Sequence, residues 1–286
     1  MMMSMACFAV EDTFIKLLSA RLPATQILFS IGFGGALITL VLAIVLNVNL
    51  ADKILLNKHV ISRTIADLFG ALSFTSAMVL IPMSLLASIL QATPLFVTLG
   101  AAILLGEKVG WRRWSAIFIG FLGVIIILQP GYGSFQLASL LGLAAVLCLA
   151  LRDVVTRDMA TEIPTLTVTF YACIAMGSAG FIAYPFFGPP IMPTTYEAII
   201  LICAAIIGLT GYFLLVLATR KGDVSVIAPF RYSRLLFSLG LASLILGEKL
   251  TLPILLGGLL VVSSGIYTFG RERRLVKIQK SVNQKI

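Results

Sequence analysis

Of the 286 residues, 59% are hydrophobic and only 12% charged, and the net charge is +9. Soluble domains carry roughly 25% charged residues, so this composition excludes a water-facing surface over most of the chain and leaves lipid as the main solvent. The basic excess sits in short connectors and in the stretch 271–285. That distribution excludes a broad nucleic-acid-binding face and points to membrane orientation.

A helix needs about 20 mostly apolar residues to cross a bilayer. Hydrophobic runs between charged or Pro/Gly-rich breaks predict ten helices, at 2–18, 25–46, 62–81, 83–105, 113–129, 134–152, 163–187, 197–219, 223–246 and 250–270. The opening stretch MMMSMACFAVEDTF has no basic leader or cleavage site and reads as a short first span rather than a signal peptide. Cys7, Cys148, Cys173 and Cys203 lie in apolar runs without metal-ligand spacing and read as free thiols. With the C-terminal end inside, sixteen Lys and Arg fall on inner connectors and tail, Arg63 and Arg152 among them. Arg21 and Lys249 fall outside, and Lys16, Arg231 and Arg234 stay within spans. The positive-inside rule then places both termini in the cytoplasm.

The tetrapeptide LGEK at 105–108 recurs at 246–249, an offset of 141 residues. The same offset pairs Ser84 with Ser225, Leu95-Phe96 with Leu236-Phe237, Asp12 with Asp153, Lys16 with Arg157, Pro23 with Pro164 and Gly70 with Gly211. Two five-helix repeats follow, 1–129 and 134–270, with 271–286 as a basic tail. An odd number of spans per repeat inserts the second upside down, a plan recurrent in secondary transporters. Gly106 and Gly247 read as left-handed helix stops, with the adjacent charges held at the interface.

The segments PLFVTLGAAILLGEKVGWRRWSAIFIGFLGVIIILQP (94–130) and SLGLASLILGEKLTLPILLGGLLVVSSG (238–265) resemble the EamA family of the drug/metabolite transporters. The resemblance implies ten helices in two EamA repeats. It also implies carriage of a small metabolite across a bacterial inner membrane, with amino acids, nucleosides, riboflavin, adenosylmethionine and drugs as the family's range. Many members carry Arg in helix 2 soon after an LF pair, where this chain has Ile31 after Leu28-Phe29-Ser30.

Ionisable residues deep in a span are costly and default to functional candidates. Arg231 and Arg234, three apart, share a helical face. Their repeat mates are Leu90 and Thr93, and Tyr232 is the mate of Gln91. Arg231, Tyr232, Arg234, Gln91 and Thr93 therefore form a candidate substrate pocket near the midplane, where Pro229 is expected to kink helix 9. The competing reading has both arginines neutralised by protein carboxylates. Asp12 with Lys16, Asp153 with Arg157 and Arg63 with Asp67 are i,i+4 pairs. Glu11 has no like-charged mate, since Arg152 stands in its place, so Glu11 and then Asp12 are the candidates for coupling or counter-ion roles. Serine, aspartyl and metallo-hydrolase motifs and a phosphate loop are missing, so the chain reads as no enzyme and needs no cofactor or metal. A channel or receptor remains the alternative to a carrier. The expected partners are a small-molecule substrate, lipid and candidate protons, with the oligomeric state open between monomer and homodimer.

The charge asymmetry makes a topological prediction. A reporter active only in the cytoplasm should work when fused after Arg274, and one active only outside should work in the loop 188–194. The reverse pattern would refute the orientation.

Overall fold

A computed structural model describes residues 1–50, 58–104, 106, 110–129, 136–157, 164–186, 189–221 and 228–283, and these are helical with no strand among them. Helices α1 (Met2–Leu18), α2 (Ala24–Val45) and α3 (Lys58–Leu80) are followed by α4 (Met83–Leu90) and α5 (Thr93–Leu104), two pieces of one span. Next come α6 (Trp111–Leu128), α7 (Ser139–Arg157), α8 (Thr165–Ala183) and α9 (Thr195–Lys221). A 3-10 turn, Ala228–Tyr232, leads into α10 (Ser233–Leu244), and α11 (Leu252–Asn283) closes the fold. The described residues thus make ten spans, the fourth of them interrupted at Gln91-Ala92 and the ninth described from the 3-10 turn onward. Leu105, Glu107 and Lys108 of the first LGEK, the expected start of helix 9 at 223–227 and connector residues such as Lys53 lie outside the described residues.

Three expectations change. The fourth helix is not continuous over 83–105 but breaks at Gln91-Ala92. Pro94 has no N–H for the Leu90 carbonyl, and the Thr93 hydroxyl donates to that oxygen instead, at 2.6 Å. The Gln91 and Ala92 N–H groups reach back only three residues, to Ser88 and Ile89, the tighter 3-10 pattern. Secondly, helix 6 runs past its expected end at 152 to Arg157, so Arg152 sits about a turn and a half inside the helix and not at its connector. Thirdly, the basic stretch after 270 continues α11 rather than leaving it as a tail.

The principal packing partners are α2 with α8, α6 with α11, α1 with α9, α3 with α7, α1 with α10, and α5 with α7. Exchanging each span for the one five further on maps this set onto itself. The α2–α8 and α6–α11 contacts are their own images, while α1–α9 and α3–α7 trade places. Two inverted five-helix halves produce that pattern. The self-paired crossings are glycine contacts: a Cβ on Gly32 would lie 2.2 Å from the Gly177 nitrogen, and one on Gly123 2.8 Å from the Gly257 carbonyl. Large apolar side chains such as Leu37, Ile44 and Ile103 are exposed on the outside of the bundle, where a bilayer would cover them. Five spans are long and apolar enough to cross a membrane by themselves, and α1 and α7, with their charged residues, are not among them.

Both LGEK glycines take the left-handed conformation expected of them, with φ of 67° at Gly106 and 66° at Gly247. After Gly247 the Glu248 N–H donates back to the Ala242 carbonyl at 3.0 Å, which satisfies one of the carbonyls at the end of α10. The Glu248 carboxylate does more. It accepts from the N–H groups of Met83 (2.7 Å) and Ser84 (2.9 Å) and from the Ser84 hydroxyl (2.6 Å), so it caps α4 of the opposite half. Lys16 donates to the carbonyls of Met78 (2.8 Å) and Ile81 (2.7 Å) at the end of α3.

The glycine crossing is testable by thermal melting of purified protein. Gly32→Ala should cost about 1–3 kcal/mol of stability through overpacking. Gly34→Ala, whose new Cβ would meet only Ala205 Cβ at an ordinary 3.6 Å, should melt close to wild type. Equal melting of the two variants would remove the crossing from the account.

Candidate functional site

The α4–α5 break and the 3-10 turn before α10 face a cavity of about 240 Å³ between the halves. Its wall includes Glu11 and Asp12 of α1, Asp67 of α3, Gln91 and Thr93 at the α4–α5 break, Arg152 of α7, Gly208 and Tyr212 of α9, and Arg231 and Arg234 at the 3-10 turn and the start of α10. Pro229 falls in that 3-10 turn, and residues 222–227, where the helix before the expected kink would run, lie outside the described residues.

Charges meet across the halves as well as along helices. Arg234 clasps Asp12 with Nη2 at 2.8 and 2.9 Å and Nε at 3.2 Å. Its guanidinium also lies over the rings of Phe8 (5.3 Å) and Phe74 (5.8 Å), a cation–π arrangement. Arg231 Nη2 donates to Asp153 at 3.1 Å. Asp153 also accepts from Arg152 Nε at 2.9 Å and Nη2 at 2.8 Å, while Arg152 Nη1 reaches Asp67 at 3.2 Å. Arg63 lies 3.6 Å from Asp67 and donates to the Tyr212 hydroxyl. The i,i+4 pair of Asp12 with Lys16 does not form, because the carboxylate turns to Arg234 and the ammonium to the α3 carbonyls. The Arg63–Asp67 pair does form, but buried rather than at an interface. The side chain of Arg157, expected to pair with Asp153, lies outside what the structure describes.

Of the candidate pocket residues, Gln91, Thr93, Arg231 and Arg234 come together and Tyr232 does not. Tyr232 is buried, with its ring against the bare Cα of Gly265 on α11. Neighbours in a helical turn point about 100° apart, so the face that carries Arg231 and Arg234 to the cavity turns Tyr232 away. The two arginines also differ. Arg234 is held by two nitrogens and two rings, whereas Arg231 spends one of its five N–H groups on Asp153 and lines the cavity. Gln91 makes no side-chain hydrogen bond among the described residues and lines the cavity, so its amide is open to a ligand. Glu11 likewise makes no hydrogen bond or ion pair among the described residues.

The duplication has an independent counterpart. The EamA-like transporter family matches this sequence twice, over residues 1–129 and 136–269. The chain belongs to the EamA-like transporter family. An S-adenosylmethionine uptake transporter of Rickettsia prowazekii (strain Madrid E) is 23% identical over 274 residues, 96% of this chain and 92% of its own. A pseudopaline exporter, CntI, of Pseudomonas aeruginosa (strain UCBPP-PA14) is 26% identical over 261 residues, 89% of each chain. A solved crystal structure superposes with a TM-score of 0.62 at 19% identity, covering 96% of this chain and 98% of the other, and shares the fold. The protein is a multi-pass membrane transporter of a small molecule, not an enzyme.

For an EamA-like transporter the cavity is the natural site, and sequence reasoning missed part of it. Arg152 was counted with a loop, and Asp67 was set at an interface. The repeat held the signal for Arg152, which stands one offset from Glu11. It held one for Gly208 too, which stands one offset from Asp67, and none for Tyr212.

The Asp12–Arg234 clasp predicts a strong single-site effect. Arg234→Ala leaves a buried carboxylate without its partner and should cost about 3–5 kcal/mol. The Asp12→Ala/Arg234→Ala double variant should recover much of that loss in thermal melting. A double variant as unstable as the sum of the singles would exclude the pairing.

Proposed function

We propose that this transporter carries a small polar metabolite across the bacterial inner membrane by alternating access of its two halves, with both termini cytoplasmic and the charged cavity as the central site. The observation that carries the reading is the position of that cavity: it lies where the break in the fourth span meets the 3-10 turn before α10, between inverted repeats. Discontinuous helices at such a place offer unpaired backbone and side-chain groups to a solute while the halves rock around it.

Within the cavity, Arg231 and the Gln91 amide are the groups proposed to hold a carboxylate, phosphate or carbonyl of the cargo, with Thr93 beside them. Arg234 and Asp12 serve as the strut that positions this floor. Glu11 is the proposed coupling residue, since an unpartnered carboxylate inside a membrane protein is tolerated when it takes a proton or meets a positive group. The relatives' uptake of S-adenosylmethionine and export of pseudopaline support a small-molecule cargo and leave either direction compatible with the fold.

Flux into proteoliposomes tests this. A metabolite carried by the wild type should show counterflow, which a channel cannot give. Arg231→Lys should weaken apparent affinity about tenfold to a hundredfold, the loss expected for one charge-assisted contact, because an ammonium lacks the planar fork. An imposed pH gradient should drive accumulation by the wild type and not by Glu11→Gln. Gradient-driven accumulation undiminished in Glu11→Gln would assign the proton to another group.

A further inference from the structure

The inverted repeat sets Glu11 beside Gly208 as the image of Arg152 beside Asp67. Each residue of the first pair is offset by 141 from its image in the second, Glu11 to Arg152 and Asp67 to Gly208. The correspondence holds in space one turn away. A Cβ on Gly211 would lie 3.0 Å from Cys7 Cβ, and one on Gly70 would lie 3.3 Å from Cys148 Cβ, again residues one offset apart. The two places are therefore equivalent in backbone and differ in charge. At one, the arginine Arg152 meets the carboxylate Asp67 at 3.2 Å. At the other, the Glu11 carboxylate makes no hydrogen bond or ion pair among the described residues, and Arg234 acts on it only through space.

The carboxylate of Glu11 lies directly on the α9 backbone. A Cβ on Gly208 would fall 2.2 Å from Oε1, 2.4 Å from Cδ and 2.7 Å from Oε2, so any other residue there would push the group away. Both Glu11 and Gly208 line the cavity. The surrounding arginines are engaged elsewhere: Arg234 clasps Asp12, Arg231 donates to Asp153, and Arg152 spans Asp153 and Asp67. With Arg63 on Asp67, four arginines face three aspartates, and Glu11 offsets the one positive charge in excess in number while making no ion pair with any of them. A fixed carboxylate, seated without a side chain behind it and facing a cavity, is built to receive a positive group from the cavity side.

We propose that Glu11, seated on Gly208, is the subsite for the positively charged group of an organic solute, and hence that the cargo carries an ammonium or a comparable cationic centre. This deepens the transport reading and depends on it for its use, not for its geometry. With Arg231 and Gln91 across the same cavity, the class of cargo that fits is a zwitterion or an organic cation with a polar acceptor at its other end.

The test uses the full-length protein, purified and melted in the presence of choline and ethanolamine, with the uncharged tert-butyl isostere of choline and sodium chloride at matched concentration as controls. At least one of the two ammonium probes should raise the melting temperature saturably, and neither control should. Glu11→Gln and Gly208→Ala should each weaken that probe's apparent affinity about tenfold or more, as expected for loss of a contact to a charged group. Both variants are small changes, and their melting without ligand reports whether they fold. If either fails to fold, the other carries the test. Binding of the ammonium probe unchanged in a folded variant overturns the proposal. So does an equal shift by sodium, which would make this an inorganic-cation site, or by the uncharged isostere. No response to either ammonium probe also overturns it. With the proposal so overturned, counterflow of a metabolite in wild-type proteoliposomes would still leave the transport reading standing; conversely, ammonium binding without any counterflow would remove the transport reading and keep the subsite.

Discussion

One short turn of chain holds the two halves to each other. Arg231 and Arg234, three residues apart where the 3-10 turn becomes α10, reach Asp153 of α7 and Asp12 of α1. Those aspartates are equivalent positions of the two repeats. A single segment of the second half thus grips the same residue twice, once in its own half and once in the other. Its image in the first half, around Leu90 and Thr93, carries no charge. The repeat is symmetric in backbone and asymmetric in electrostatics, and that asymmetry decides which cavity groups are struts and which remain open to a solute.

Much of the architecture was legible in the chain. Apolar length marked the spans, and the fixed offset marked the halves, because Asp, Lys, Pro and GEK are rare letters in so apolar a sequence. What escaped were features set by tertiary partners. The break at Gln91-Ala92 depends on the Thr93 hydroxyl replacing a donor that Pro94 lacks, and from composition alone Pro94 in an apolar run is equally compatible with a kinked continuous helix. Asp12 looked committed to Lys16 one turn along, since local spacing is the only distance a sequence displays. Its partner lies 222 residues away. Tyr232 was grouped with its neighbours by position, and its helical phase sent it to α11.

Arg152 and Gly208 show the two kinds of blindness. A positive residue near a span end reads as a topology marker until the helix is found to extend past it, as α7 does. A glycine in an apolar helix reads as a packing contact, and here what packs against it is a carboxylate. Both were reachable by asking what stands one offset from each charged residue, which turns the duplication from a statement about fold into a statement about chemistry.

The cap that Glu248 places on α4 has a mechanical consequence. The first N–H groups of a helix need acceptors, and losing a cap costs about 0.5–2 kcal/mol. Here the acceptor belongs to the end of α10, on the other side of the duplication, and Lys16 secures the preceding carbonyls of α3 in the same neighbourhood. The joint between α3 and α4 is therefore clipped at both poles by opposite charges. Sliding α10 away from α4 unfastens a finite number of directed bonds all at once, so the bundle meets a detent there instead of a smooth slope, and the arrangement drawn by this structure is one that clicks shut.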